Sequence, residues 1–530
     1  MSIKNELSRR DFMIKSLGVT AMAGLSGFLP QQAFGNQNDI DKAIFASFEG
    51  KYMRAGFAEG DISPEIGMEQ PGNYGKSFHK SFHDPCKVRA AVFEDGGKKV
   101  ALVGIDALGI DKSLVHKVRN EVYKKCGIEP DALMIGASHS HSSGPLGMVQ
   151  PGEYDHADKF VQSLAYEKSS CADPVYIQMV EKKLVETIVA ADKSLADTKI
   201  GVGKGMEDKV AYNRRFLMKN GITFTHPGQL NPDIVKEAGP VDSEVGVIGA
   251  WDKDGKCIGC IVNFACHATT NPGGISANWI YYLEQAIRGA MGPDCVVVFL
   301  AGASGDLTQV NNLNPYENLR GEDWARYVGG RVGAEVVKVL LSMPRGVLLP
   351  LSAKKTNLVF QRRTPNPANV KESYEMVKKP AEEVGATNWV FAKETVLLDA
   401  KLKKEPMRET EVQAIQVGPV VFVSNPAEFF CQLGLDIKSQ SHFPFTFPVS
   451  LANDCVGYVP TKEAFGPHGG GYETRLTSYS NLEITAGDKM VREGVKLTKQ
   501  MMPGNNPEFT KAPEFAGKPW EYGSLKPQLD

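Results

Sequence analysis

Residues 132–145 read Ala132-Leu133-Met134-Ile135-Gly136-Ala137-Ser138-His139-Ser140-His141-Ser142-Ser143-Gly144-Pro145. The apolar run at the start predicts a buried strand over Ala132–Ala137, and it ends in two imidazoles one residue apart. Such a pair serves a metal ion well, one ring ligating while the other reaches substrate or solvent. A hydrogen-bonded loop pair explains the same residues, and at this point both readings stand.

Outward from this strand the chain alternates β-like and helical patterns. A strand over Lys98–Ala107 follows the Gly96-Gly97 turn and leads into an amphipathic helix around Ser113–Lys125. Apolar residues recur at helical spacing in Asp173–Leu195, at Ile177, Val180, Leu184, Ile188 and Ala191. Strands are expected at Val245–Trp251, Ile258–Ala265 and Val296–Ala301, with helices over Trp279–Gly289 and Asp323–Ser342. This order predicts an α/β fold, a mixed β-sheet core flanked by helices. The Pro-rich, charged stretch 362–411 reads as irregular, and Val412–Val423 as a strand. Pro503–Asp530 is expected to be an extended tail that wraps the surface.

With 530 residues, 42% of them hydrophobic and 23% charged, the chain buries a large core in one big domain or two smaller ones. The net charge of −2, with both signs mixed along the chain, leaves no footprint for nucleic acid or an anionic membrane. The expected partner is a small molecule, lipid-like or glycan-derived. Near the N-terminus, Ser8-Arg9-Arg10-Asp11-Phe12 precedes a small-residue-rich apolar stretch from Ser16 to Leu29 and a small-x-small site, Ala33-Phe34-Gly35. This reads as a twin-arginine export signal over residues 1–35, followed by a linker over 36–50, with a periplasmic or extracellular destination. An uncleaved anchor is the alternative, and no later segment is expected to span a membrane. Nine cysteines, an odd number, argue against a complete disulfide framework, and Cys257, Cys260 and Cys266 read as core residues of one strand.

Three other residues and one loop draw attention. His267 ends an apolar strand as His139 does, and two strand-end histidines in an α/β protein converge on one rim, where ligand sites form. Glu428 lies between a strand and an apolar helix start, either as a helix-terminal carboxylate or as a metal ligand. Tyr458 reads as a packing aromatic. Gly302-Ala303-Ser304-Gly305-Asp306-Leu307-Thr308-Gln309 follows a strand as a phosphate loop would, but it lacks the Gly-Lys-Ser/Thr ending, which excludes nucleotide binding by that motif.

Taken in order, the motifs resemble the catalytic domain of the neutral/alkaline non-lysosomal ceramidases, which are zinc amidohydrolases. The resemblance runs through Ala55–Pro64, Phe82–Ala90, Ser138–Pro145, Asn213-Arg214, Phe264–His267, Gly305–Thr308, Pro426–Glu428, Gly457–Val459 and Tyr472–Thr474. It implies a hydrolase domain over residues 51–502, in which metal-activated water attacks an amide (N-acyl) bond. It also implies that His139, His267, Glu428 and Tyr458 bind one Zn²⁺, leaving the open position a catalytic centre needs. His141 becomes a proton-transfer group, Arg214 a donor to a substrate oxygen or developing oxyanion, and Thr308 a substrate-facing hydroxyl. The family's Gly-Asp-Val-Ser-Pro-Asn stands here as Gly305-Asp306-Leu307-Thr308-Gln309-Val310. The family's C-terminal immunoglobulin-like domain has no counterpart in the sequence, which loosens the link to membrane-borne sphingolipids. Arg214, Arg215, Arg362, Arg363 and Arg475 are mostly expected on a solvated surface. An esterase or lactonase, a lyase acting on an acidic carbohydrate, and a non-catalytic exported binding protein with a closed metal site are the competing readings.

Overall fold

The computed structural model describes residues 53–509 and 511–530. The expected export signal and linker lie outside the described residues. Eight strands form the main sheet: β1 (Met53–Asp61), β2 (Lys87–Asp95), β3 (Lys98–Ile105), β4 (Leu133–Ala137), β5 (Ala196–Met206), β6 (Glu244–Trp251), β7 (Cys257–Phe264) and β8 (Val296–Ala301). Their spatial order is β8-β7-β6-β5-β1-β2-β3-β4. The β3–β4 and β7–β8 pairs are parallel and the others antiparallel, so the sheet is mixed, as expected.

Each parallel pair is joined through a helix, Lys112–Cys126 for the first and Trp279–Met291 for the second. Asp111 starts the first of these by accepting from the Ser113 N–H at 2.8 Å, and Gly127, at φ 68°, ends it. The sheet curls until β8 lies against β3. A Cβ at Gly104 would sit 2.4 Å from the Phe299 carbonyl oxygen, so only glycine permits this approach.

A second, four-stranded sheet contains β9 (Leu351–Gln361), β10 (Met407–Val417), β11 (Val420–Asn425) and β12 (Phe445–Ser450). Its Ile415, Phe422, Phe447 and Val449 share one buried cluster with Val103, Ile135 and Leu300 of the first sheet. Helix Cys431–Gln440 crosses from β11 to the parallel β12.

Two expectations need correction here. Val412–Val423 is not one strand: the chain reverses at Gly418, at φ 60°, where Pro419 follows, and the run divides into β10 and β11. The stretch 362–411 is largely helical, with helices Pro367–Met376, Ala381–Val384 and Ala386–Lys404. The last of these buries Lys393 and Glu394 beside Ala392, Val396 and Leu397, and the charged pair breaks the apolar period that would have announced a helix. Of the expected tail Pro503–Asp530, Gly504 donates to the Gly418 carbonyl at 3.0 Å, and Lys511–Asp530 is exposed throughout. All nine cysteines are free thiols, and Cys257, Cys260 and Cys266 are buried, as expected of core residues.

Beneath the site lies a charged tie. Arg89 on β2 donates from Nη1 to Asp106 at 2.7 Å and from Nε to Glu284 at 2.9 Å, and all three are nearly inaccessible. Glu284, on helix Trp279–Met291, also meets Lys87 at 2.7 Å and Arg288 at 2.9 Å. These cations outweigh burial and hold its carboxyl at about 2.

Candidate metal centre and cavity

The segments that follow the parallel-paired strands meet at one rim, where ligand sites form in sheets of this type. His139 follows β4, His267 follows β7, Ser304 and Gly305 follow β8, and Glu428 follows β11. Two short pairings bring them together. Ser140 and Ala268 form a parallel bridge that joins the two histidine loops, and Glu428 pairs in parallel register with Tyr458.

His139 adopts φ 62°, a conformation that a β-carbon disfavours and that clusters at functional sites. It is held there by its ring: Nδ1 donates to the Leu108 carbonyl at 2.7 Å. His267 does the same to the Ser304 carbonyl at 2.8 Å. A carbonyl only accepts, so both protons sit on Nδ1 and both Nε2 lone pairs point inward, the tautomer that second-shell carbonyls impose on metal-ligating histidines.

Between them stands Glu428. Its Oε2 lies 3.2 Å from His139 Nε2 and 3.5 Å from His267 Nε2, and it is buried without a hydrogen-bond donor. His141 adds a third imidazole, with Nε2 3.2 Å from His139 Nε2. One ring nitrogen from each of His139, His141 and His267 lies within 4.8 Å of the other two. Lone pairs facing a carboxylate oxygen with no proton between them repel, and a cation relieves that repulsion, so the residues fit a metal ion.

The electrostatics agree with that donor set. Burial, together with Arg214, pushes His267 down to about 3, and burial with the two neighbouring rings pushes His141 well below its ordinary value, so both remain neutral. Burial and the Glu428 charge push the Tyr458 phenol up, with Arg214 opposing them.

Arg214 is buried behind this face. It donates from Nε to Glu473 at 2.9 Å, and from Nη2 to the Gly305 carbonyl at 2.7 Å and the Tyr458 hydroxyl at 3.1 Å. Its Nη1 lies 3.1 Å from His267 Nε2, so that nitrogen's lone pair serves either the guanidinium or a metal.

Thr308 is not drawn into the cluster. It is buried on a two-residue strand paired with Tyr212-Asn213, and its hydroxyl accepts only from the Val310 N–H at 3.4 Å. The contacts that loop makes to the site come instead from Gly305, whose carbonyl holds Arg214, and from Asp306, which accepts from the Cys431 N–H at 2.7 Å and from Asn213 at 3.0 Å. The arginines also depart from a solvated surface: Arg214, Arg215 and Arg362 are buried, Arg363 is half-buried, and Arg475 alone is exposed.

A cavity of about 500 Å³ opens onto His139, His141, Glu428 and Tyr458. Its walls include residues that sequence reasoning had given no role, among them Gly72, Tyr74, Tyr472 and Tyr479, with Arg362, Lys401, Lys404 and Arg408 adding basic side chains. Tyr472 meets the Tyr458 hydroxyl at 3.0 Å. Gly72 touches the site most closely. At φ 95°, it presents no side chain to the His141 ring, whose Nδ1 would lie 2.4 Å from a Cβ there. The run Gly469-Gly470-Gly471 ahead of Tyr472 was a readable sign of a tightly turned loop, whereas nothing around Gly72 announced its contact with a ring about seventy positions away.

No family model matches the chain, and no curated protein matches it by sequence. Solved structures do. A ceramidase complexed with C2 matches with a TM-score of 0.63 at 19% identity, over 87% of this chain and 77% of that one. Neutral ceramidase from Pseudomonas aeruginosa matches with a TM-score of 0.62 at 20% identity, over the same shares. The chain has the fold of neutral ceramidase, with a three-imidazole group beyond the strand ends, in which His139 and His267 are buried and His141 is half-buried.

Proposed function

We propose that the protein is an exported, zinc-dependent amidohydrolase that cleaves an N-acyl bond in a lipid-like or glycan-derived substrate. One observation carries the reading: the buried Glu428 Oε2 has no donor and faces two imidazole lone pairs at 3.2 and 3.5 Å. His139, His267, Glu428 and Tyr458 would hold the ion, a mixed nitrogen and oxygen set suited to Zn²⁺. When bound, zinc acidifies water and polarises a carbonyl. His141, neutral and lining the cavity, accepts the proton of the attacking water and returns it to the leaving nitrogen. Arg214 turns an N–H toward the oxygen on which charge develops, since Nη1 is the one guanidinium nitrogen not held by a carboxylate, carbonyl or hydroxyl.

The adjoining cavity supports an enzyme over a closed structural metal site. Thr308 keeps the expected hydroxyl but supports that loop rather than facing substrate. Residues 1–35 act as a twin-arginine signal, residues 36–50 as a linker and 51–502 as the hydrolase domain, with a periplasmic or extracellular product. Among the described residues, no helix is long and apolar enough to cross a membrane. Elimination on an acidic carbohydrate is a second reading, which would draw on the basic side chains of the cavity, although Arg362, Lys401 and Arg408 are paired with Glu405, Glu153 and Asp454, and product mass separates the two, because hydrolysis adds water.

The test is zinc analysis coupled to a screen of N-acyl lipids and acidic oligosaccharides, with His139→Ala beside the wild type. Zinc bound by the wild type, together with activity on an N-acyl substrate that disappears in the variant, is expected. Full activity of a zinc-free variant would sink the proposal.

A further inference from the structure

Helix Ala386–Lys404 carries a buried charge pair that the chemistry above does not use. The Lys393 side chain is 0% exposed and the Glu394 side chain 4%, with Nζ 3.5 Å from Oε1. Burying two charges is costly, and such pairs add little net stability over an apolar filling, so what they touch matters more than that they pair.

Each member holds one wall of the cavity. Lys393 donates to the Tyr74 carbonyl at 2.5 Å and to the Lys168 carbonyl at 3.1 Å. Glu394 accepts from the Ser478 hydroxyl at 2.6 Å and from the Ser478 N–H at 3.3 Å. Tyr74 and Ser478 both line the cavity, as does Tyr479. The two walls meet where the Tyr74 and Tyr479 hydroxyls stand 2.6 Å apart. One turn of the same helix adds Phe391, edge-on to the Tyr74 ring at 5.7 Å. The Tyr74 wall also reaches the reacting centre, because Gly72 packs on the His141 ring and Gln70 donates to the His141 carbonyl at 2.9 Å.

We propose that Lys393 and Glu394 are specificity-determining positioning residues, a clamp that sets the spacing of the Tyr74 and Tyr479 walls and so the size of acyl group the cavity admits. The inference rests on reading the cavity as an N-acyl substrate site. Its physical core is simpler: two adjacent helix positions, each anchored to one of two walls that meet at the tyrosine hydroxyls, convert the placement of one helix into the width of the cavity. Because the hydroxyl contact between the tyrosines is neutral, whereas the anchors are charge-assisted, it is the joint that opens first when either anchor is lost.

The experiment compares the wild type with K393M, E394Q and the double variant K393M/E394Q, all zinc-loaded and full length. The double variant leaves no unpaired buried charge and keeps the test meaningful where a single variant fails to fold. Two readouts are taken. Hydrogen exchange at residues 72–76 is expected to accelerate about tenfold in the double variant, the size of losing one hydrogen bond to a charged group, with residues 139–142 unchanged. The kcat/KM ratio between a short-chain and a long-chain N-acyl sphingosine is expected to shift about tenfold in favour of the longer chain, mostly through KM, at unchanged zinc content. A folded double variant with wild-type exchange and wild-type selectivity overturns the clamp. If the wild type hydrolyses neither substrate, the N-acyl reading fails, and exchange alone decides whether the clamp exists.

Discussion

Gly72→Ala probes the coupling between the cavity wall and the chemistry. A Cβ at position 72 would lie 2.4 Å from Nδ1, 2.9 Å from Cγ and 3.0 Å from Cε1 of His141. Carbon and nitrogen at rest keep about 3.5 Å, so the ring or the loop must retreat by about 1 Å. A misplacement of about 1 Å in a reacting group costs about 100-fold in rate, or about 2.7 kcal/mol of barrier. The φ of 95° adds backbone strain of about 1–3 kcal/mol, which falls on stability rather than on kcat. The assay is steady-state hydrolysis of an N-acyl substrate together with zinc stoichiometry. The three atoms nearest a Cβ at position 72 all belong to His141, which is outside the proposed zinc ligands, so zinc content is expected to stay at the wild-type level while kcat falls about 100-fold. Because the variant acts through one ring, G72A/H141A should be no slower than H141A, the mark of a shared path. Wild-type kcat in a folded G72A protein, or fully additive losses in the double variant, would refute the reasoning.

Other perturbations separate the roles of the neighbours. E428Q replaces the donorless carboxylate oxygen, and dialysis against a chelator should strip its zinc under conditions in which the wild type retains it, as read by elemental analysis. R214A should lower kcat by about 100- to 1,000-fold, the usual effect of removing a donor to a developing oxyanion, and R214K should recover little because one ammonium does not replace the fork. For stability, Glu284 is depressed to about 2 in the folded protein, so its contribution is complete above the unfolded value near 4.5 and is lost as pH falls toward 2. E284Q should therefore destabilise by about 3 kcal/mol at neutral pH in denaturant titrations, and its difference from the wild type should shrink as pH drops through that window.

The strands that position the site were legible because their environment is uniform. Leu133–Ala137 and Val296–Ala301 are buried on both faces, and such strands write themselves as unbroken apolar runs with site residues just beyond. The same logic failed at helix Ala386–Lys404, where Lys393 and Glu394 point inward and a core face looks like a solvated one. It failed also at Gly418, where one apolar run is two strands folded about a turn. Thr308 had the composition of a site residue, yet the loop places it outside the lining of the cavity that holds His139, His141 and Glu428.

The sequence by itself determined the alternation of strands and helices and the two histidine loops at strand ends, because hydrophobic period and residue chemistry are local properties of the chain; Glu428 and Tyr458 drew a ligand role only from the order of motifs that resembles the ceramidases. The tertiary structure alone decided that the Leu108 and Ser304 carbonyls take the Nδ1 protons, that Glu428 Oε2 lacks a donor, and that Gly72 and Lys393 shape the cavity around His141. Those contacts join positions tens to hundreds of residues apart through directional hydrogen bonds and steric fit. Their energies depend on a few tenths of an ångström, a precision that residue order does not carry.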